Sequence, residues 1–282
     1  MADWMRLART VWAWLLLGSV SMLAACGGGS SFEPQVNGVR AVMLQYGNQA
    51  TIYVGGLHLR ADMVADFGPG CTAPSFAPSS TTELAILNCT VVTVGDLPFT
   101  LRSASGDTLV QTSFTVPKPQ VLLGTAQGAM TFELDPIAAP KSVDNFLAYV
   151  AAGFYKDTLF HRVIPGFVIQ AGGFTSGMVP KTELNPAIVL ESDNGLSNLR
   201  GTLAMARTSA PDSATSQFFI NLVDNTQLDY QSEASPGYAV FGTVVSGMEL
   251  VDAIAVEPTT TVAGYANVPV TDVPITTMLR LQ

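Results

Sequence analysis

One short segment of the sequence, residues 160–174, concentrates side chains that could act on a neutral ligand. It reads FHRVIPGFVIQAGGF and contains a single cation, Arg162, with the aromatic Phe167 and the amide Gln170 close by. A guanidinium keeps its charge at any physiological pH and offers several N–H donors in a fixed geometry. Taken alone, Arg162 would be a surface salt-bridge residue and Phe167 a core residue. Together in one segment, Arg162 and Gln170 could also donate hydrogen bonds to a neutral ligand beside an apolar wall.

Other catalytic chemistries lack the residues that they need. The sequence has 2 histidines and no Gly-x-Ser-x-Gly turn, which argues against a Ser/His/Asp hydrolase. No Gly-Lys-Ser/Thr loop is present to hold nucleotide phosphates. The formal net charge of -9 disfavours nucleic acid as a partner, because a polyanion would be repelled. We interpret His161 as a buried or semi-buried structural residue, and we expect neither a metal nor a cofactor.

Further blocks follow the first segment in order. Residues 200–207 read RGTLAMAR, residues 216–221 read SQFFIN and residues 237–242 read GYAVFG. Together with the first segment, these blocks resemble the cyclophilins in their order and separation. The resemblance covers residues 119–282 and is closest to the bacterial branch. It implies a peptidyl-prolyl cis/trans isomerase domain that is mainly β, with a closed antiparallel barrel capped by two helices.

The resemblance also implies roles for individual residues. Arg162 would be the catalytic arginine, and Gln170 would hold that arginine and the substrate backbone. The other predicted residues bind substrate, as walls of a proline pocket, as a backbone segment for the residue before proline, or as side chains beside the pocket. They are Phe167, Val168, Phe219 and Leu228 for the walls, Ala206 and Arg207 for the backbone segment, and Gln217 and Tyr238 beside the pocket.

Rotation about a prolyl bond needs no nucleophile or proton shuttle, because no bond is broken. The barrier of roughly 18–20 kcal/mol comes from the partial double-bond character of the amide. An enzyme must therefore favour the twisted amide and hold the ring in an apolar slot. The alternative function is a binding protein or holdase chaperone for proline-containing polypeptides, since a fold does not prove turnover. The presence of Arg162, Gln170 and both pocket phenylalanines favours the enzyme.

Individual positions depart from the common pattern. Gln227 stands where many eukaryotic members have Trp, and Tyr238 stands where they have His. We therefore expect weak cyclosporin affinity. Ala171 replaces a usual Gly, which is tolerable if the backbone there is ordinary β.

Periodicity around the motifs predicts strands and two helices. Residues 142–150 and 247–255 have the apolar stripe of amphipathic helices. The remaining apolar segments are strand-like. They are residues 120–123, 129–134, 160–163, 168–170, 202–206, 217–222, 238–245 and 275–281.

Residues 33–116 form a separate all-β domain in this interpretation. Short alternating segments, one of them broken at Gly55-Gly56, predict a small β-sandwich that faintly resembles the immunoglobulin-like IPT/TIG type. Its role would be that of a spacer or a binding module. A hydrophobic content of 48% against 12% charged residues supplies enough apolar material for real cores and argues against disorder.

Residues 1–25 have the pattern of an export signal. Arg6 and Arg9 precede an uncharged apolar run, residues 10–22, which is short for a membrane span. The sequence that follows, Leu-Ala-Ala-Cys ending at Cys26, resembles the bacterial lipobox.

The lipobox resemblance implies that Cys26 is acylated and anchors the chain to a membrane. Residues 26–32 would be a Gly/Ser tether. Gly27 resembles the outer-membrane sorting pattern, so we expect a monomer anchored by lipid on the periplasmic face of the outer membrane. A plain secretory signal with a free Cys26 is the alternative.

Cys71 and Cys89 remain as an even pair in an oxidising compartment. A disulfide between them would close a loop of roughly 19 residues and add about 3 kcal/mol of stability. A metal site is the rival interpretation, but His58 is the one histidine nearby and more ligands would be needed.

Overall fold

Antiparallel β-structure dominates the computed structural model of the protein, which describes residues 33–282. The predicted signal peptide (1–25), the tether (26–32) and the lipidation site Cys26 lie outside the described residues. Across the described range, we find no helix with the length and apolar character that a membrane crossing requires.

Seven strands form the N-terminal part: β1 (Gln35–Val42), β2 (Gln49–Leu57), β3 (Val64–Asp66), β4 (Cys71–Phe76), β5 (Leu84–Val91), β6 (Gly95–Arg102) and β7 (Thr108–Val116). They build two antiparallel sheets, with the strand orders β1-β2-β5-β4 and β3-β6-β7. Burial alternates along β2, β5 and β6, so one face of each sheet supplies a shared hydrophobic core. The immunoglobulin-like identity of this part stays a prediction.

The predicted strand break at Gly55-Gly56 is wrong, because β2 runs through both residues. Gly56 pairs with Val36 of β1, and a Cβ atom on Gly56 would lie 2.0 Å from the carbonyl oxygen of Gln35. The glycine therefore permits a close approach of two backbones inside a continuous strand.

Twelve strands follow in the C-terminal part: β8 (Gln120–Thr125), β9 (Gly128–Leu134), β10 (Phe160–Ile164), β11 (Val168–Ala171), β12 (Phe174–Thr175), β13 (Val179–Pro180), β14 (Thr202–Met205), β15 (Phe218–Asn221), β16 (Val240–Ser246), β17 (Thr259–Val262), β18 (Tyr265–Pro269) and β19 (Thr277–Arg280). Eight of them form one antiparallel sheet with the order β10-β11-β15-β14-β16-β9-β8-β19. The pairs β12-β13 and β17-β18 are small separate hairpins that the sequence did not predict.

The eight-stranded sheet is strongly curled into a half-barrel. β10 and β19 lie at its two ends, so the predicted closed barrel is not confirmed. Backbone hydrogen bonds do join the segments beside these ends: Phe160 N–H donates to Val273 O at 3.0 Å, and Ile275 N–H donates to Thr158 O at 2.7 Å. The mainly β fold with two helices is confirmed.

The helices α1 (Pro140–Ala151) and α2 (Met248–Ala255) pack on the C-terminal core. The predicted stripe of α1, including Val143, Phe146 and Val150, is buried. The Phe146 ring meets Phe218 of β15 edge to face at 5.4 Å between centroids. The apolar face of α1 therefore packs on the inner face of the curled sheet.

Tyr46, in the turn between β1 and β2, belongs to the core of the C-terminal part and is 6% exposed. Its carbonyl oxygen accepts a hydrogen bond from Arg280 Nη2 at 2.6 Å. Burial, together with the charge of Asp144 on α1 and a hydrogen bond to it, raises the pKa of Tyr46 well above its usual value. Tyr46 thus anchors the N-terminal sheets to the C-terminal core, within the compact unit Pro34–Gln282.

A disulfide joins Cys71 of β4 to Cys89 of β5, with 5.7 Å between the Cα atoms. Both residues belong to the core of the N-terminal part. Between residues 33 and 282, no group of three or more His, Cys, Asp or Glu is arranged to hold a metal ion.

Tyr46→Ala is expected to lower the free energy of unfolding by about 3 kcal/mol, because a buried aromatic side chain is lost and a cavity is left. Tyr46→Phe, which removes only the hydroxyl, should cost about 1 kcal/mol. Urea unfolding of the purified protein measures both. Tyr230, 41% exposed, is the matched control, and its replacement by Ala should change stability by less than about 0.5 kcal/mol. Wild-type stability in Tyr46→Ala would contradict the anchoring role.

Candidate active site

Strand register brings the predicted catalytic residues into one row. Arg162 on β10 lies opposite Gln170 on β11, and Gln170 lies opposite Phe219 on β15. The row continues through Ala204 on β14 to Val240 on β16. Because side chains alternate along a strand, these residues share the outer face of the curled sheet. The alternate residues of the same strands belong to the interior core.

Neutral amides hold the guanidinium of Arg162. Its Nη1 donates to Gln170 Oε1 at 3.3 Å, and Gln170 Nε2 donates in turn to Gln217 Oε1 at 2.9 Å. Arg162 is half-buried and takes part in neither of the two salt bridges found within residues 33–282. The structure therefore rules out the surface salt-bridge interpretation and leaves the positive charge available to a ligand.

A cavity of about 330 Å³ opens beside this row. Nine of the ten residues predicted from the sequence to be catalytic or substrate-binding line it: Arg162, Phe167, Val168, Gln170, Ala206, Arg207, Phe219, Leu228 and Tyr238. The tenth, Gln217, lines an adjoining cavity of about 410 Å³. The predicted roles of these residues stay predictions, but the structure does bring the residues together.

One side of the 330 Å³ cavity is apolar. Val168 and Phe219 are buried in a small cluster on the outer face of the sheet, and Phe167, Leu228 and Tyr238 pack against them. The rings of Phe219 and Tyr238 meet edge to face at 5.5 Å. The result is a hollow with one apolar wall, which we call the proline hollow, and the Arg162 guanidinium lies at its edge.

Arg207 braces one side of the hollow. Its Nε donates to Gly237 O at 2.9 Å, and its guanidinium carbon lies 4.6 Å from the centroid of the Tyr238 ring, a cation–π contact. The N–H of Ala206 donates to Gln217 O at 2.9 Å. In a backbone hydrogen bond between Ala206 and a substrate, the carbonyl oxygen of Ala206 would therefore be the acceptor.

The adjoining cavity contains residues that the sequence did not predict. Tyr265 of β18 lines it together with Phe174 of β12, and the two rings meet edge to face at 5.0 Å. Glu183 lies at the same cavity. The turn glycine before Tyr265, Gly264 with φ +87°, was the one local signal that a hairpin brings this ring into place.

His161 is buried, as predicted. It is 4% exposed, its ring lies 4.7 Å from that of Phe174, and its Nδ1 lies 3.4 Å from Leu159 O. Burial lowers the pKa of His161 to about 4, and the charge of Arg162 acts in the same direction. It is not a proton shuttle near neutral pH.

The C-terminal part of the chain is similar in sequence to known isomerases. Peptidyl-prolyl cis-trans isomerase A of Dickeya dadantii is 56% identical over 149 residues, which cover 53% of this chain and 77% of the relative. Peptidyl-prolyl cis-trans isomerase B of Escherichia coli is 49% identical over 155 residues, 54% of this chain and 94% of the relative. A cyclophilin type isomerase of Cryptosporidium parvum, solved in the presence of the dipeptide Ala-Pro, is 30% identical with a TM-score of 0.50, covering 58% of this chain and 99% of that chain.

Acidification is expected to destabilise the fold partly through His161. The folded pKa of about 4 lies below the unfolded value of about 6.5, so the unfolded chain binds a proton that the folded protein excludes. Neutral His161 therefore contributes up to about 3 kcal/mol to the free energy of unfolding. This contribution is complete above pH 6.5 and is lost as the pH falls towards 4. Urea unfolding between pH 7 and 4 measures it. His161→Gln should flatten the pH dependence, and identical slopes for both proteins would refute the assignment.

The family model for cyclophilin type peptidyl-prolyl cis-trans isomerases matches residues 120–279. That range contains the row through Arg162, the proline hollow and the adjoining cavity. The family match, the identities to bacterial isomerases and the geometry of the site agree. The chain therefore belongs to the cyclophilin type peptidyl-prolyl cis-trans isomerase family.

Proposed function

We propose that the protein isomerises X-Pro bonds in exported polypeptides and that Arg162 stabilises the twisted amide without covalent chemistry. The observation that carries the proposal is the unneutralised guanidinium at the edge of a cavity of about 330 Å³ that has an apolar wall. A cavity of this size accommodates a prolyl ring, and a cation in a partly dry site acts strongly on a developing charge or lone pair.

The proline ring would occupy the hollow between Phe167 and Phe219. As the C–N bond twists, its nitrogen loses conjugation, becomes pyramidal and gains a lone pair that can accept a hydrogen bond. An N–H group of Arg162 would donate to that nitrogen or to the neighbouring carbonyl. Because this bond is stronger in the twisted amide than in either planar isomer, it lowers the barrier.

Preorganisation supports the role of Arg162. The amide chain from Arg162 through Gln170 to Gln217 fixes the guanidinium before substrate binds, so little reorganisation is needed during rotation. The segment at Ala206 would bind the residue before proline through its carbonyl oxygen. The Cryptosporidium isomerase solved in the presence of Ala-Pro supports proline-containing peptides as the substrate class.

The export part of the proposal rests on sequence. Residues 1–25 would direct the chain across the inner membrane, and acylated Cys26 with the tether 26–32 would hold it at the periplasmic face of the outer membrane. The disulfide between Cys71 and Cys89 suits an oxidising compartment. Clients would be polypeptides that fold there.

The architectural part of the proposal concerns the two β regions. We propose that residues 33–116 are an immunoglobulin-like sandwich that acts as a spacer or binding module. The isomerase domain, residues 119–282, would close its sheet into a barrel through the bonds at Phe160 and Ile275.

Arg162→Ala is expected to reduce catalysed isomerisation of an Ala-Pro test peptide by about 100-fold, because one preorganised charged donor is lost. A protease-coupled assay on the purified protein measures the rate. Arg102→Ala is the matched control, since Arg102 is exposed on β6 and hydrogen-bonds Thr108, and its activity should equal that of the wild type.

The same assay separates an isomerase from a binding protein or holdase. Peptide binding without acceleration by the wild type would favour the binding function. Full activity in Arg162→Ala would remove the proposed mechanism while leaving the family assignment intact.

Lipid anchoring is expected to depend on Cys26. Cells fed labelled palmitate should incorporate label into the wild-type protein, which should then fractionate with outer membranes because several acyl chains bind tightly. Cys26→Ser should carry no label. Absence of label from the wild type, or label retained in Cys26→Ser, would overturn this part of the proposal.

A further inference from the structure

A chain of buried amides lies behind the proline hollow. Asn198 and Asn221 are 0% exposed and Asn225 is 2% exposed. Asn221 is the last residue of β15, on the same face as Phe219, and lies opposite Val168. Burying three amide side chains costs free energy unless each is hydrogen-bonded. Each of the three is therefore expected to have hydrogen-bond partners.

The amides form a directional hydrogen-bond chain, which we call the asparagine chain. Asn225 Nδ2 donates to Asn221 Oδ1 at 2.8 Å, and Asn221 Nδ2 donates to Asn198 Oδ1 at 3.1 Å. Asn198 Nδ2 donates to Asp229 Oδ1 at 2.9 Å, and Gln227 Nε2 donates to Asn225 Oδ1 at 3.1 Å. The chain therefore runs from the exposed Gln227 through three buried amides to a carboxylate.

Asp229 ends the chain as an acceptor. Its Oδ1 also accepts the backbone N–H of Asn198 at 2.7 Å, and its other oxygen accepts the hydroxyl of Ser197. Partial burial disfavours the charge of Asp229, but the hydrogen bonds from Ser197 and Asn198 outweigh it and lower the pKa of the carboxyl below its usual value. The carboxylate thus fixes the direction of the amides.

Side-chain amides of the asparagine chain hold the backbone of two walls of the hollow, and the backbone carbonyl of one member holds a third. Asn225 Nδ2 donates to Phe167 O at 2.9 Å, and Asn225 O accepts the N–H of Leu228 at 2.8 Å. Asn198 Nδ2 reaches Tyr238 O at 3.4 Å. The walls belong to segments far apart in the sequence, and the same polar chain joins all of them.

This chain is separate from the one that positions the cation. Arg162 is held through Gln170 and Gln217, and no member of the asparagine chain lines either cavity. A change in the asparagine chain should therefore alter the shape of the hollow and leave the guanidinium in place.

We propose that Asn198, Asn221, Asn225 and Asp229 are positioning residues that hold the proline hollow in its binding shape before the peptide arrives. The proposal rests on the function proposed above and extends it to residues that touch no substrate. A preformed hollow avoids an ordering cost on binding, so loss of the chain should weaken peptide affinity rather than slow rotation of the bound peptide.

The test compares affinity and turnover in the purified protein. Titration with an Ala-Pro-containing peptide, followed by NMR, gives Kd, and exchange spectroscopy on the saturated protein gives the catalysed rate. Asn225→Ala is expected to raise Kd about tenfold, because it frees the carbonyl of Phe167 and breaks the chain. Its rate at saturation should stay within about twofold of the wild type.

Ser142→Ala is the matched control for loss of a buried hydrogen bond. Ser142 is 1% exposed and its hydroxyl donates to Glu191 at 2.8 Å, but it lines neither cavity. Its Kd should match the wild type even where its stability falls. An unchanged Kd in folded Asn225→Ala, or a lowered rate with unchanged Kd, would overturn the proposal.

Two variants of Asp229 give a second test of the proposal, which applies even if Asn225→Ala fails to fold. Asp229→Asn keeps one oxygen for Asn198 and should nearly preserve Kd, whereas Asp229→Ala should raise it. Equal Kd values for the two variants would count against the positioning role. Failure of the proposed function is distinguishable: the wild type would then bind peptide without accelerating exchange, and the Kd comparison would still be valid.

Discussion

The site depends on one constraint: in the short strands that carry it, the side chains on both faces of the sheet are buried. On β15, Phe218 and Ile220 enter the interior core, while Phe219 and Asn221 face outward and are buried as well. A slip of one residue in register would move each side chain to the opposite face. The packing of the core therefore also fixes which residues reach the outer row. Stability and catalytic geometry are set by the same strand pairing.

Two polar chains complete this arrangement, and the groups that hold the Arg162 cation are neutral. One holds Arg162 through glutamines, and the other ties the walls of the hollow through asparagines that end at Asp229. Neutral amides can orient Arg162 without cancelling its charge, which a buried carboxylate partner would do at a large desolvation cost. Separating the two chains allows the charge and the apolar slot to be held by different residues.

Features that are set by residues close together in the sequence could be predicted from it. The stripe of α1 was predictable because residues such as Phe146 recur with the helical period, and the residues of the hollow were predictable because they follow motif blocks. The β12-β13 hairpin was not, since a two-residue strand such as Phe174–Thr175 has no measurable alternation. Asn221, in a predicted strand, and Asn225, beyond it, gave no sign of joining a buried chain, because their burial depends on contacts between distant segments. Tyr46 was missed for the same reason.

The hydrogen bond from Arg280 to Tyr46 spans 234 residues of sequence. Contacts so distant along the chain form late, because a long loop must close first. The hairpins of the N-terminal sheets can form before the C-terminal part has folded, but Tyr46 has no site to enter until α1 and β19 are both in place. This large aromatic side chain therefore stays in water until the C-terminal part of the chain has folded.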